Sequence, residues 1–184
     1  MRQCHKKRVF PLAFVLFAII INCPLLSQQS ENCTLLGRWA AGQCYDVLAN
    51  GPIAYMGNGA YLQIMQASDP VNPVLLGKIV LPEMIRKMAF YDNKIYVADY
   101  NGGLRIVDVS DPSAPREISA IEKIGTAIDL VLDGNYAYIA AGNSSLIIID
   151  ITDPSNPVKL GQLENTGYLS SVAVQGDYAF VCLY

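Results

Sequence analysis

A short apolar motif returns along the chain at a spacing of 42 residues. Leu104-Arg-Ile-Val-Asp108 is followed by Leu146-Ile-Ile-Ile-Asp150, and a weaker copy begins at Leu62. Each copy runs into an Asp-Pro pair, and a second proline follows three residues after the first. The pairs begin at Asp69, Asp111 and Asp153. A fixed period of this length indicates an array of one small unit.

The repeat that starts at Ala127 has the pattern of four short strands. Residues 127–132 alternate, and Asp133-Gly134-Asn135 favours the positive φ of a tight hairpin turn. The predicted strands are 127–132, 136–141, 146–151 and 158–161. Four antiparallel strands in about 42 residues match one blade of a β-propeller. We therefore predict an all-β protein built from propeller blades, with helix only in the N-terminal segment.

The array begins and ends with parts of a repeat. Residues 34–37 resemble an outer fourth strand, and 171–174 and 178–184 are predicted as the first two strands of a fourth unit. The three full repeats are fewer than the four to eight blades of a typical closed propeller. We expect an open, incomplete arc that is the N-terminal fragment of a longer protein. The alternative is a complete chain that closes by self-association.

The first 27 residues have the pattern of a secretory signal peptide. Four Lys and Arg residues precede residues 9–21, which are apolar apart from Pro11, and Ser27 is a small residue at a suitable cleavage point. The apolar run is shorter than the roughly 20 residues that cross a bilayer. We predict a signal peptide at 1–27, a lead-in at 28–44 and propeller repeats at 45–184. An uncleaved membrane anchor is the alternative for residues 1–27.

Loss of residues 1–27 makes the chain acidic. It removes four of the 13 Lys and Arg and none of the 16 Asp and Glu, which leaves a net charge of −7. No basic patch remains, so nucleic-acid binding is disfavoured. The single histidine, His5, lies in the same segment, so histidine-based triads and metal sites are excluded from the rest. We predict no cofactor, although an all-oxygen calcium site stays open.

The predicted mature part contains three cysteines. Export permits a disulfide, and Cys33 and Cys44 are close enough in sequence to close a small loop, although the pairing is left open. Cys182 stands where earlier repeats have Ala98 and Ala140. We therefore expect Cys182 to be a small buried strand residue.

The motif Leu-x-Ile-Val-Asp followed by Asp-Pro-x-x-Pro resembles the LVIVD repeat of bacterial and archaeal secreted and surface proteins. Residues 104–108 match closely, whereas the first repeat has Met65 and Gln66 where Val and Asp are expected. The resemblance covers about residues 34–184. It implies a β-propeller at the cell surface with a binding or scaffold role, and no known reaction.

Identical residues at identical repeat positions usually serve the repeat itself. We expect the aspartates that end the third strand and begin the Asp-Pro turn to fix the corner by accepting backbone N–H bonds. They are Asp108, Asp150, Asp111 and Asp153. An aromatic residue also recurs in the second strand, and we expect it to pack between blades rather than form a ligand-facing belt. The series is Tyr55, Tyr96, Tyr138 and Phe180.

Positions that differ between repeats are better candidates for ligand contacts. Arg86 and Lys87, together with Asp99 and Tyr100 of the second repeat's turn, are the candidate residues of a rim site, with a solvated surface as the alternative. We predict a secreted or surface module that binds a protein or carbohydrate, has no catalytic activity and has no membrane span in its mature part. The alternatives are a propeller-type hydrolase or lyase with its site mostly in missing blades, and a structural or adhesion component.

Overall fold

The computed structural model describes residues 43–142, 145–164 and 167–183, all of which belong to the compact unit Leu36–Tyr184. Within these ranges the chain forms 14 β-strands and no helix. None of the described elements is a helix able to span a membrane. The predicted signal peptide, the strand at 34–37 and Cys33 lie outside the described residues.

The strands form three four-stranded sheets and one two-stranded sheet, all antiparallel and in chain order. Sheet I contains β1 Cys44–Asn50, β2 Ile53–Asn58, β3 Tyr61–Gln66 and β4 Val74–Val80. Sheet II contains β5 Lys87–Tyr91, β6 Lys94–Ala98, β7 Leu104–Asp108 and β8 Arg116–Ile121. Sheet III contains β9 Ala127–Asp133, β10 Tyr136–Ala141, β11 Ser145–Asp150 and β12 Val158–Glu164. Sheet IV contains β13 Leu169–Gln175 and β14 Tyr178–Leu183.

This arrangement confirms the predicted all-β repeat of four-stranded blades. The first strands of successive sheets lie next to one another, and the sheets are not closed into a ring. The outer strands are longer than predicted, because β12 continues from the expected end at Gly161 to Glu164. Its extra residues pair with the start of β11, where Leu146 is opposite Leu163.

Side chains of one sheet alternate between the two neighbouring sheets. In β6, Ile95 and Val97 belong to the apolar cluster shared with sheet I, whereas Tyr96 and Ala98 belong to the cluster shared with sheet III. All four side chains are at most 1% exposed. Because successive side chains of a strand point to opposite faces, one strand supplies apolar residues to both faces of the blade.

Aspartates on two first strands join their sheets to the next sheet. The Asp46 carboxylate accepts the backbone N–H of Met88 at 2.7 Å and the Lys87 ammonium at 2.9 Å. At the same repeat position, Asp129 accepts the backbone N–H of Val172 at 2.9 Å. Such charge-assisted bonds fix the register between adjacent first strands.

The Asp-Pro turns join the sheets at the outer side. A Cβ atom built on Gly77 in β4 would overlap the Pro112 carbonyl oxygen and lie 3.0 Å from Cδ of Pro115. At the same position in β8, the Ser119 hydroxyl donates to the Pro154 carbonyl at 2.6 Å. Each of these turns therefore packs on the outer strand of the preceding sheet, which explains why the motif recurs with the repeat.

The close approach of Pro112 to Gly77 predicts that alanine substitutions at two equivalent glycines change stability by different amounts. We expect Gly77→Ala to lower the free energy of unfolding by roughly 1 to 3 kcal/mol, because the added methyl meets backbone that cannot rotate away. Gly161 has open space around a built Cβ, so Gly161→Ala should change stability by less than about 0.5 kcal/mol. Urea denaturation of both variants measures the difference. Equal effects would contradict the turn packing.

Candidate functional site

The repeated aspartates hold their own turns. Asp108 Oδ1 accepts the N–H of Ser110 at 2.9 Å, and Asp150 Oδ1 accepts that of Thr152 at 2.8 Å. Asp111 and Asp153 accept the N–H of the residue two positions later at 2.9 and 3.0 Å. Hydrogen bonds to neighbouring residues lower the pKa of all four carboxyl groups. These contacts are turn geometry rather than a binding site.

The aromatic series packs between sheets where a following sheet is present. Tyr55 and Tyr96 are 3% and 1% exposed, and Tyr138 packs in the cluster shared with sheet IV. Tyr55 stacks on Phe90 with ring centroids 5.6 Å apart. Phe180 at the same position in sheet IV is 56% exposed. Its exposure follows from its place on the last described sheet.

Cys182 is a correction to the prediction of a buried strand residue. The side chain is exposed, whereas the equivalent Ala98 and Ala140 are 0% exposed. The strand was predicted, but burial at this position depends on a following sheet, and none of the described sheets covers it.

The four candidate ligand residues meet at one end of sheet II. Lys87, the first residue of β5, pairs with Ala98, the last residue of β6. Arg86, which precedes β5, and Asp99, which follows β6, therefore lie at the same end of this hairpin. The N–H of Arg86 donates to Ala98 at 2.8 Å, and Tyr100 forms a bridge with Ala127 of sheet III. We call Arg86, Lys87, Asp99 and Tyr100, together with Arg105 of β7, the sheet II rim.

Arg105 is the centre of an ion network in this rim. Its guanidinium donates to Glu117 at 3.0 Å and to Glu122 at 2.9 Å. Its Nε lies 3.6 Å from Oδ2 of Asp99. The Arg105 side chain is 8% exposed and that of Asp99 is fully buried, whereas Glu122 is 60% exposed. The network therefore links a buried carboxylate to the surface.

The turn between β6 and β7 is shaped around the Asp99 carboxylate. Oδ2 accepts the backbone N–H of Glu83 at 3.2 Å. A Cβ atom on Gly102 would overlap the same oxygen, so a glycine is required there. Tyr100 has a φ of 42° and Gly103 a φ of 82°, a region that non-glycine residues rarely adopt. The buried acid and the strained Tyr100 thus belong to one local arrangement.

Three buried polar side-chain atoms in the described part of the chain have no hydrogen-bond partner, and all three lie in the sheet II rim. They are Nε of Arg86, Oδ1 of Asp99 and Nε of Arg105. The Arg86 guanidinium is also 4.9 Å from the ring centroid of Tyr45. Buried polar atoms without partners cost free energy and mark places to look for function.

Burial has the largest effect on Asp99 and raises its pKa to about 6, although the Glu83 N–H and Arg105 oppose the shift. The pKa of Arg105 is also raised, because its contacts with Glu117, Glu122 and Asp99 outweigh the cost of burial. Because Asp99 has no exposed surface, the role open to it is to position Arg105 and the turn. Arg86, Lys87 and Tyr100 are partly exposed and are free to touch a ligand.

The prediction from sequence named Asp99 but missed its partners. Arg105 stands where sheets I and III have Gln63 and Ile147, and Glu117 where they have Leu75 and Lys159. Comparison of the repeats position by position therefore contains the signal. Its meaning depends on the pairing of β7 with β8, which brings Arg105 and Glu117 together.

No group of three or more His, Cys, Asp or Glu in the described ranges has the geometry to hold a metal ion. The calcium site that the sequence left open has no candidate among these residues.

The repeats match a family model described as LVIVD repeat at residues 41–80, 85–122, 124–164 and 166–183. The chain belongs to the LVIVD repeat family. Each match corresponds to one of the four sheets. No curated protein matches the chain.

Solved structures show the same fold. The computationally designed proteins Ika8 and Ika4 are each 10% identical, with TM-scores of 0.62 and 0.63 over 75% and 76% of this chain. A functionally unknown protein from Desulfotomaculum acetoxidans DSM 771 is 18% identical, with a TM-score of 0.63 over 77%. The chain spans 42% of Ika8, 84% of Ika4 and 50% of the Desulfotomaculum protein. At these identities the likeness concerns the fold.

The raised pKa of Asp99 predicts a pH dependence of stability. The folded chain holds this proton more tightly than the unfolded chain, so stability is highest below the ordinary carboxyl pKa near 4 and falls as pH rises through about 6. We expect Asp99 to make the free energy of unfolding fall with rising pH across this window. Asp99→Asn should flatten the slope between pH 4.5 and 6.5 in urea denaturation.

Asp111→Asn is the matched control for that measurement. Asp111 is exposed and its pKa is lowered, so its stabilising contribution is lost only as pH falls below the ordinary carboxyl range. The slope between pH 4.5 and 6.5 should be unchanged in this variant. An unchanged slope in Asp99→Asn as well would contradict the role of Asp99.

Proposed function

We propose that this LVIVD repeat chain is an exported, non-catalytic scaffold that binds a protein or glycan at the sheet II rim. The observation that carries the proposal is the Arg105 network, which occurs in only one of the described repeats. The other two four-stranded sheets pack without such a network, since sheets I and III have the uncharged residues Gln63 and Ile147 at the position of Arg105. An ion network that the repeat does not require is best explained by a role in recognition.

The exposed part of the rim has polar groups suited to such a ligand. Lys87 keeps 40% of its side chain exposed while it pairs with Asp46, and Glu122 is largely exposed beside Arg105. Arg86 lies against the exposed ring of Tyr45. Mixed charges beside an aromatic ring are typical of surfaces that bind polar partners, with Arg and Tyr among the residues enriched at binding hot spots.

The exposed side chains of the sheet II rim are held by buried contacts. This rigid support favours the interpretation of the rim as a binding site over that of a solvated surface. Asp99 fixes the turn from below, and the Tyr100 bridge to Ala127 attaches the same turn to sheet III. Side chains held by buried contacts lose less conformational entropy on binding than free surface chains do. The scaffold therefore presents the rim in one arrangement.

The binding proposal is tested by replacing two charged rim residues with the residues found at the same positions of another repeat. Arg86→Ser/Lys87→Ser introduces the Ser170 and Ser171 found at the same positions of sheet IV. We expect the purified chain to bind members of a glycan and peptide array, and the double variant to lose at least about tenfold in affinity, since two charged contacts are removed. Val158→Ser on the outer strand β12 is the control and should bind normally.

Equal binding by all three proteins would contradict the rim as the site, and hydrolytic turnover of a bound compound would contradict the non-catalytic proposal.

Export is tested separately. The basic start and short apolar run of residues 1–27 support cleavage after Ser27. In an exporting bacterial host we expect the protein outside the cytoplasm to begin at Gln28, as measured by intact mass and N-terminal sequencing. Recovery of only the 184-residue chain in the membrane fraction would favour the uncleaved anchor.

A further inference from the structure

The turn between β6 and β7, residues 99–103, touches both connections that join sheet II to its neighbours. We call these residues the Asp99 turn. On one side, the N–H of Glu83, in the connection from sheet I, donates to Oδ2 of Asp99 at 3.2 Å. On the other side, the N–H of Ala127, at the start of sheet III, donates to the Tyr100 carbonyl at 2.8 Å. A movement of this turn would therefore change contacts on both sides of sheet II.

The backbone of the Asp99 turn closes around the buried carboxyl group. The Gly102 N–H donates to the Asp99 carbonyl at 2.6 Å, and the Asp99 N–H donates to the Gly103 carbonyl at 2.8 Å. Tyr100 has a φ of 42°, which costs free energy in a non-glycine residue and persists only where surrounding contacts hold it. The closed turn therefore depends on the contacts that keep the Asp99 side chain inside.

The Asp99 side chain has few partners for a buried charge. Its Oδ2 accepts one N–H, from Glu83, and its Oδ1 has no hydrogen-bond partner among the described residues. Nε of Arg105 lies 3.6 Å from Oδ2, which is beyond hydrogen-bond distance. A buried carboxylate stays ionised at little cost only with several hydrogen bonds or a close cation. The neutral acid therefore suits this position better than the anion does.

The charged groups on the elements around Asp99 also disfavour the anion. Arg105 of β7 is the cation directed at Asp99, and it is shared with other acids. The further acids around it are Glu83 between β4 and β5, Glu117 on β8 and Glu122 just after β8. Arg86 and Lys87 contact side chains of sheet I instead, and Asp129 of sheet III is bonded to sheet IV. An ionised Asp99 would thus compete for one guanidinium that is already bonded twice.

We propose that the Asp99 turn is a proton-controlled switch of the sheet II rim. With Asp99 neutral the turn stays closed, and ionisation of Asp99 shifts it toward an open arrangement in which the carboxylate contacts water. Opening releases the N–H groups of Glu83 and Ala127, and it frees Tyr100 from its bridge to sheet III. As regulation of the rim, this inference rests on the proposed function, whereas the movement itself is measured without a ligand.

The direction of the switch follows from the two protonation equilibria of Asp99. In the closed turn, burial raises the pKa of Asp99 to about 6, whereas an exposed aspartate in the open turn titrates at about 4. Between these values the open turn releases a proton that the closed turn keeps, so the opening constant rises about tenfold for each pH unit. Above about pH 6 both forms are ionised and the opening constant levels off. The closed turn is therefore most stable below the ordinary carboxyl pKa.

Hydrogen exchange of single amides tests the switch, measured by NMR on the purified chain and corrected for the intrinsic effect of pH on exchange. We expect protection of the Glu83 and Ala127 N–H groups to fall about tenfold per pH unit up to about pH 6 and then to stay constant. The Val109 N–H, which donates to the Asn93 carbonyl at 2.9 Å at the other end of sheet II, is the internal reference. The turn amides should be less protected than Val109 and insensitive to low concentrations of urea, because local opening exposes little surface.

Three variants separate the switch from a purely structural role of Asp99. Asp99→Asn keeps nearly the same shape and cannot ionise, so protection of the turn amides should become independent of pH. Glu117→Gln removes an acid whose charge raises the pKa of Asp99 and leaves the Arg105 guanidinium with one carboxylate fewer. In that variant, protection should level off at a lower pH than in the unmodified chain. Asp111→Asn, on the exposed Asp-Pro turn, is the matched control and should behave as the unmodified chain does.

Several outcomes would overturn the switch. They are pH-independent protection of the turn amides in the unmodified chain, protection equal to that of Val109 at every pH, and an unchanged pH dependence in Asp99→Asn. If circular dichroism shows that Asp99→Asn does not fold, Glu117→Gln decides, and an unchanged pH of levelling off would then overturn the proposal. Because these measurements use no ligand, a failed switch leaves the array binding result standing, and absent binding in the array leaves the exchange result standing.

Discussion

The structure depends on the burial of both faces of each four-stranded sheet. A sheet whose side chains alternate Ile95, Tyr96, Val97 and Ala98 has apolar residues on both sides, and one such sheet alone would leave half of them in water. Stacking of like sheets removes this surface at a gain of roughly 25 cal/mol for each square ångström of apolar area. Each repeat is therefore stable only beside another.

Several residues of the repeat connect neighbouring blades as well as shaping the blade to which they belong. Asp46 and Asp129 connect neighbouring first strands, and the Asp-Pro turns connect neighbouring outer strands through Gly77 and Ser119. The inner and outer joints are at opposite sides of each sheet, so together they limit rotation of one blade against the next. Regular geometry then follows from two kinds of local contact.

Sheet II departs from this regularity in the Arg105 network. It places the charged Arg105 where sheet III has Ile147, and it buries Asp99 with the Arg105 Nε 3.6 Å from its carboxylate. Removal of charges from water is costly unless each is well paired. Sheets I and III have the uncharged residues Gln63 and Ile147 at the position of Arg105, so the Arg105 network is the part of the molecule that the architecture does not explain. For that reason we propose a role in recognition for this network, with the turn around Tyr100 as the surface.

The sequence by itself determined the repeat, the number of strands in each blade and their order, because a period of two within strands and 42 between repeats follows directly from the residues. It also placed Arg86, Lys87, Asp99 and Tyr100 in one region. Only the tertiary structure decided that Asp99 lies beneath the surface, that Arg105 is its partner and that Cys182 is exposed. Burial and pairing depend on which sheet lies opposite a residue, and neighbouring positions in the sequence do not contain that information.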